Sequence, residues 1–226
     1  MSQFLIALSA FLMAHLAPSL PGVRARLVRI MGERAYLASY SILSVILLFW
    51  VAAAAIRAPA IMLWPATPTA YWAPIIVMPV AFALIAAGLF EPNPFSVTLS
   101  KAQFSIERPG VVALTRHPVL LGFALWAAAH IPPNGVFAQL LFFGGMLAFA
   151  ALGARRLDKK KAAAIGKDAW RELDAHRKSA WRRSGLQALM TRRTILGAAS
   201  GAMLYAAFLF WWHHVLFGAD PLAFLR

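Results

Sequence analysis

The sequence has no cysteine. Disulfides, thiolate metal ligands and cysteine nucleophiles are therefore excluded. Acidic residues are scarce: eight Asp and Glu stand against twenty-two Lys and Arg. No two acids pair inside an apolar run, and Glu91, Glu107 and Asp158 fall at the edges of such runs. That leaves no carboxylate pair for acid–base work at depth, and no acid placed to orient a histidine beside a serine as a hydrolase triad requires. There is no glycine-rich phosphate loop and no HExxH pair of metal ligands. Internal repeats and low-complexity tracts are also absent. Charge of either sign is thin, at 13% of the residues, against about 25% in soluble domains.

Hydrophobic residues, by contrast, make up 61% of the 226, where a soluble domain carries about 45–50%. The composition reads as an all-α integral membrane protein, a helical bundle with one membrane domain over 1–226. A spanning helix needs about 20 mostly apolar residues. Six runs are candidates, at about 3–19, 36–56, 71–90, 112–131, 136–154 and 195–217. The fourth is the weakest, because from His117 to Ile131 it rises only about 22 Å. It then breaks at Ile131-Pro132-Pro133-Asn134-Gly135. The first run follows Met1-Ser2-Gln3 without the positive segment and small-residue site of a cleavable signal, so it reads as a retained span.

A net charge of +14 would suit nucleic acid, but its distribution does not. Arg24, Arg26, Arg29 and Arg34 lie between spans one and two, and Lys101, Arg108 and Arg116 between three and four. Thirteen more basic residues fill Arg155 to Arg193, leaving only Arg57 and Arg226 for the opposite side. The positive-inside rule then predicts both termini outside (periplasmic in a bacterial inner membrane) and a cytoplasmic loop over 155–194. The partner so implied is the lipid bilayer, not nucleic acid. Within that loop Ile165, Ala169, Trp170, Leu173 and His176 recur at helical spacings. They predict an amphipathic helix over Ala162 to Ala180 on the inner leaflet.

Three of the six histidines, His15, His117 and His130, lie in or at the end of apolar runs. An imidazole in oil needs a hydrogen-bond partner, a proton or a metal. Arg116-His117-Pro118 opens the fourth run, with Arg116 and a helix N-terminus positioned to hold an anion. Trp126-Ala127-Ala128-Ala129-His130 closes it, with small residues that would admit a flat ligand. Thirteen residues separate His117 from His130, about 20 Å along a helix, so the two cannot ligate one metal on one straight helix. His213 and His214 follow Trp211-Trp212 in an aromatic belt at the outer end of span six. Imidazole, methionine, arginine and aromatic surface suit a haem or another planar apolar cofactor.

These stretches carry a resemblance. His15 in the first span, Arg24-Ala25-Arg26-Leu27, Gly32-Glu33-Arg34-Ala35-Tyr36, Arg116-His117-Pro118, Trp126 through His130 and Asn134-Gly135 resemble the NnrU family of bacterial membrane proteins over about residues 1–155. That family is named for an association with nitrite and nitric oxide reduction, and is similar to plant 15-cis-zeta-carotene isomerase. The resemblance implies haem b, an iron held by histidines and redox-gated isomerisation of a carotenoid-like polyene, an apolar small molecule held in the bilayer. By position it places the iron ligands on His15 and His130. The predicted depths of those two differ, so His117, at a depth similar to that of His15, stays as a third candidate. Trp126, Phe123 and Phe143 are candidates to line the cofactor slot, and Arg116 or Arg108 to pair with a haem propionate, since bidentate arginine–carboxylate pairing is the strong form.

Two other classes stay open. A non-catalytic haem or nitric oxide sensor, or an assembly factor, would use the same histidines. Arg116-His117-Pro118-x-x-x-Gly122 also resembles the RHPxYxG signature of membrane methyltransferases that use S-adenosylmethionine, with Leu120 in place of the tyrosine. A small transporter is disfavoured, because neither an inverted repeat nor an intramembrane carboxylate is visible.

Overall fold

The computed structural model describes residues 1–20 and 22–225; Arg226, counted above on the outer side, lies outside them. The helices are α1 (Ser2–Leu16), α2 (Val23–Met31), α3 (Glu33–Ile56), α4 (Trp72–Phe90), α5 (Pro118–His130), α6 (Phe137–Ile165), α7 (Lys167–Ser184), α8 (Arg192–Ala207) and α9 (His213–Phe217). A single antiparallel bridge, Met62 to Val136, is the only extended pairing among the described residues. Four stretches are long and apolar enough to cross a membrane: α3, α4 with the turn before it (Pro68–Phe90), α6, and Arg192–Phe217, which joins α8 to α9. Of the six expected spans, the first and fourth are instead shorter apolar helices.

The fourth run is short for a local reason. Proline disfavours a helical conformation in the residue before it, and His117 sits at φ −126 with Pro118 opening α5. Residues Gly110–Ala113 form a separate tight turn rather than an extension of the helix. Thirteen residues remain, about 20 Å of rise. The basic loop also differs from expectation. α6 runs on to Ile165, and Gly166 at φ 91 breaks it from α7. A side chain is strained at that φ, so the break falls at the glycine.

The chain divides into two compact units, Met1–Pro65 with Gly135–Phe142, and Ala66–Asn134 with Phe143–Arg226. In the first, α1 packs on α3. Phe4, Ala7 and Phe11 are the buried face of α1 and recur at helical spacing. On α3, Tyr36, Leu47, Val51, Ala54 and Ala55 are buried. Many of the other large apolar side chains of both helices, among them Leu5, Ile6, Ile42 and Ile46, are exposed, as a lipid-facing surface would be. Residues 61–64 pair with 135–137 through the bonds from Leu63 N–H to the Gly135 carbonyl and Phe137 N–H to the Ile61 carbonyl.

In the second unit α4 is central, packed against both α5 and α8. Its buried residues are small: Ala81, Ala86, Ala87 and Gly88, with Leu84. Small residues matter in a membrane bundle because oil gives no hydrophobic drive for helices to meet, and close van der Waals approach replaces it. Gly197 and Gly201 make that approach on α8. A Cβ at Gly197 would stand 2.5 Å from the Ala87 Cα, and one at Gly201 2.5 Å from the Phe82 carbonyl oxygen. On α5, a Cβ at Gly122 would stand 2.7 Å from the Ala81 carbonyl oxygen. The three glycines therefore hold backbone against backbone.

Candidate functional site

The sequence-predicted residues fall in separate places. His15 belongs to the first unit, on the last turn of α1. One turn after Phe11, it shares that residue's face. Its Nδ1 lies 2.7 Å from the Phe11 carbonyl oxygen. A carbonyl only accepts, so Nδ1 carries the proton. The ring lies tilted against Phe11 at 4.2 Å and meets the edge of Tyr40 at 5.7 Å.

The remaining candidates belong to the second unit. His130 ends α5, and its Nδ1 lies 2.8 Å from the Trp126 carbonyl oxygen, again the carbonyl one turn back. Its proton is therefore also on Nδ1. Asn134 donates to the His130 carbonyl at 2.7 Å, which closes the helix end. The imidazole stacks on Phe143 at 5.1 Å and lies 6.0 Å from Trp126, which meets Phe143 edge-on at 5.5 Å and Phe123 at 6.3 Å. Ala127 and Ala129 are buried against protein, so only Ala128 of the three small residues is exposed.

His117 and Arg116 stand at the other end of α5, in a polar cluster. Arg116 donates from Nε and Nη2 to the two oxygens of Asp158, at 3.1 and 2.8 Å, and from Nη1 to Asp174 at 3.2 Å. Its guanidinium lies 4.9 Å from the Trp170 ring centre. His117 Nε2 donates to Asp158 at 2.9 Å. Asp174 also accepts from Arg177 at 2.8 Å and Lys178 at 3.0 Å. Arg177 reaches on to the Ala113 carbonyl at 2.8 Å. Burial alone would raise the Asp174 carboxyl, but the hydrogen bonds from Arg177, Lys178 and Arg116 outweigh it and hold it at about 2. Asn93 clasps the cluster, donating to the Arg116 carbonyl at 3.0 Å and accepting from Phe95 N–H and Ser96 N–H at 2.8 and 3.1 Å. His117 Nδ1, Ser96 Oγ and Trp170 Nε1 are buried without a hydrogen-bond partner among the described residues.

Next to this cluster, Glu91 is 5% exposed. It accepts from Thr191 at 2.5 Å and Thr194 at 2.7 Å, and Thr194 in turn accepts from Val111 N–H at 2.9 Å. These bonds fix the start of α8. Arg108 is exposed and makes no ion pair among the described residues.

The structure thus brings Arg116 and His117 together, keeps His130 and Trp126 at the far end of α5, and leaves Arg108 apart. Sequence reasoning noted Asp158 only as an interfacial acid and missed Asp174, Arg177 and Asn93. The spacing of Asp174 to Arg177 and Lys178, three and four residues apart, is a helical ion-pair signal readable in the chain. The pairing of α6 and α7 acids with Arg116 is long-range and leaves no such trace. Among the described residues no three His, Asp or Glu side chains converge as a metal-binding group.

A model of the NnrU protein family matches residues 3–221. The chain belongs to the NnrU family. The match extends past residue 155, where the sequence resemblance faded, so α7 and α8 lie within the matched span. No curated protein and no solved structure matches it.

Proposed function

We propose that this NnrU-family chain binds haem b in the bacterial inner membrane, with His15 and His130 as the iron-ligand candidates. One observation carries the reading. Each imidazole donates its Nδ1 proton to the carbonyl one turn back on its own helix, so the lone pair sits on Nε2. Metal-ligating histidines characteristically give their other N–H to a backbone carbonyl or carboxylate in this way, which fixes tautomer and ring plane. The donor chemistry suits haem for a second reason. A bare transition metal takes three or four protein donors, whereas a porphyrin brings four nitrogens and needs only one or two axial ligands.

When bound, haem b supplies a Lewis-acidic, redox-dependent iron. The chain's own residues orient and shield. Phe143 and Trp126 wall the His130 ring and keep water from it. Arg108, exposed and without an ion pair among the described residues, is the candidate propionate partner. Arg116 is already held by Asp158 and Asp174. The proposed substrate is a carotenoid-like polyene that reaches the protein through the bilayer, whose exposed apolar helices give it access. Both termini are proposed to be periplasmic, with the basic loops in the cytoplasm.

Detergent-purified protein from haem-replete cells should show a Soret band that shifts with dithionite. His15→Ala and His130→Ala should each lower the haem-to-protein ratio at unchanged yield. Wild-type stoichiometry in both variants, or colourless wild-type protein, overturns the assignment. Adding zeta-carotene isomers to reduced and oxidised protein tests the catalytic part. Conversion only in the reduced state is expected, and unchanged pigment in both states assigns the chain to sensing or assembly instead.

A further inference from the structure

We propose that α2 is a lipid-reading helix that lies along the membrane surface and binds anionic phospholipid. The basic residues between the first two apolar helices form a distinct helix, not a loop: nine residues from Val23 to Met31, bounded by Gly22 at φ 77 and Gly32 at φ 80. None of the nine is buried. At 100° per residue, Val23, Leu27, Ile30 and Met31 share an arc about 100° wide. Three of these large apolar side chains are exposed, Ile30 at 72%, Met31 at 41% and Leu27 at 38%. Arg24 and Arg26 flank that arc, each roughly 80° from its centre, while Ala25 and Arg29 lie opposite.

This is the pattern of an interfacial helix. The apolar arc enters the headgroup–acyl boundary, and the flanking cations reach the phosphates. Charge complementarity selects the occupant. Arg26 and Arg29 make no ion pair among the described residues, and only Arg24 has one, to Glu33 at 3.3 Å. Chain connectivity selects the place. α2 joins the apolar α1 to the span-length α3 with six intervening residues on one side and Gly32 alone on the other, so it cannot leave the membrane surface. An anionic leaflet is therefore the partner within reach, and each arginine at the phosphate level adds about a factor of five in affinity.

The absence of native cysteine makes the test clean. Ala25→Cys and Ile30→Cys are each spin-labelled in the full chain, in nanodiscs of phosphatidylcholine alone and with three-tenths phosphatidylglycerol. At Ile30, collisions with oxygen should exceed those with a water-soluble nickel complex, and at Ala25 the order should reverse. Phosphatidylglycerol should deepen the Ile30 label. In native mass spectrometry, Arg26→Gln should retain about fivefold less phosphatidylglycerol than the parent, at an unchanged thermal midpoint. Equal accessibility at the two positions, or an Ile30 depth and lipid retention indifferent to phosphatidylglycerol and to Arg26, overturns the proposal. An Ile30 label shielded from both reagents in either lipid also overturns it and points to a protein partner on this face.

Discussion

Asp174 joins three cations, Arg116, Arg177 and Lys178, and its side chain is 7% exposed. Removing its charge while keeping its shape leaves Arg177 with only the Ala113 carbonyl and a neutral amide, and Arg116 with only Asp158 as a charged partner. Asp174→Asn should therefore destabilise the chain by about 3 kcal/mol, read as a lower midpoint in thermal unfolding in detergent. The same carboxyl makes a pH prediction. Its folded value is depressed from 3.8 to about 2, so the unfolded chain binds the proton more readily. Its stabilisation is complete above about pH 4 and is lost as pH falls toward 2. Asp174→Asn should flatten the acid limb of the stability profile in that window, and an unchanged limb would count against the cluster. His117 was legible in the sequence as an imidazole with a purpose. That its Nε2 is bonded to Asp158 was not, because the two are forty-one residues apart and only the packing of α5 beside α6 brings them together.

Among the elements, the seam between α4 and α8 is set by backbone contact at Gly197 and Gly201. Gly201→Leu should cost about 2–3 kcal/mol by overpacking, and Ala199→Leu, on an exposed position two residues away, should be close to neutral. Loss of the difference between the two would refute the seam. Gly197-x-x-x-Gly201 is a readable signature of close helix packing, and the close approach at Gly122 was legible in the chain as well. Helix lengths were less so. Hydropathy cannot see that Pro118 holds His117 out of the helix, nor that Gly166 splits the basic stretch. Both are backbone effects that composition averages away. The expected lipid-facing helix over Ala162 to Ala180 is for the same reason two pieces. The second turns Asp174, Arg177 and Ala180 inward onto protein, because an ion network on one side of a helix competes with a simple apolar stripe.

For the molecule as a whole, the arrangement of charge is the feature most fully legible beforehand, since twenty of twenty-two basic residues fall in alternate loops. The proposed orientation is checked with single cysteines, again on a cysteine-free background. A label on Lys160→Cys should react only after the inner membrane is permeabilised, and one on Thr67→Cys in intact spheroplasts; the reverse order inverts the topology. Family membership extends over nearly the whole chain, yet the site it implies is carried by a few scattered rings. Within the second unit, α5 and the later part of α6 run side by side. His130 meets Phe143 at one end and Arg116 meets Asp158 at the other, roughly 20 Å apart along α5. Perturbations so distant, with no shared contacts, are energetically additive to within about 0.5 kcal/mol. A double-mutant cycle of His130→Ala and Asp174→Asn should consequently close with no coupling term, so that the His130 end can be re-engineered without rewriting the ionic one.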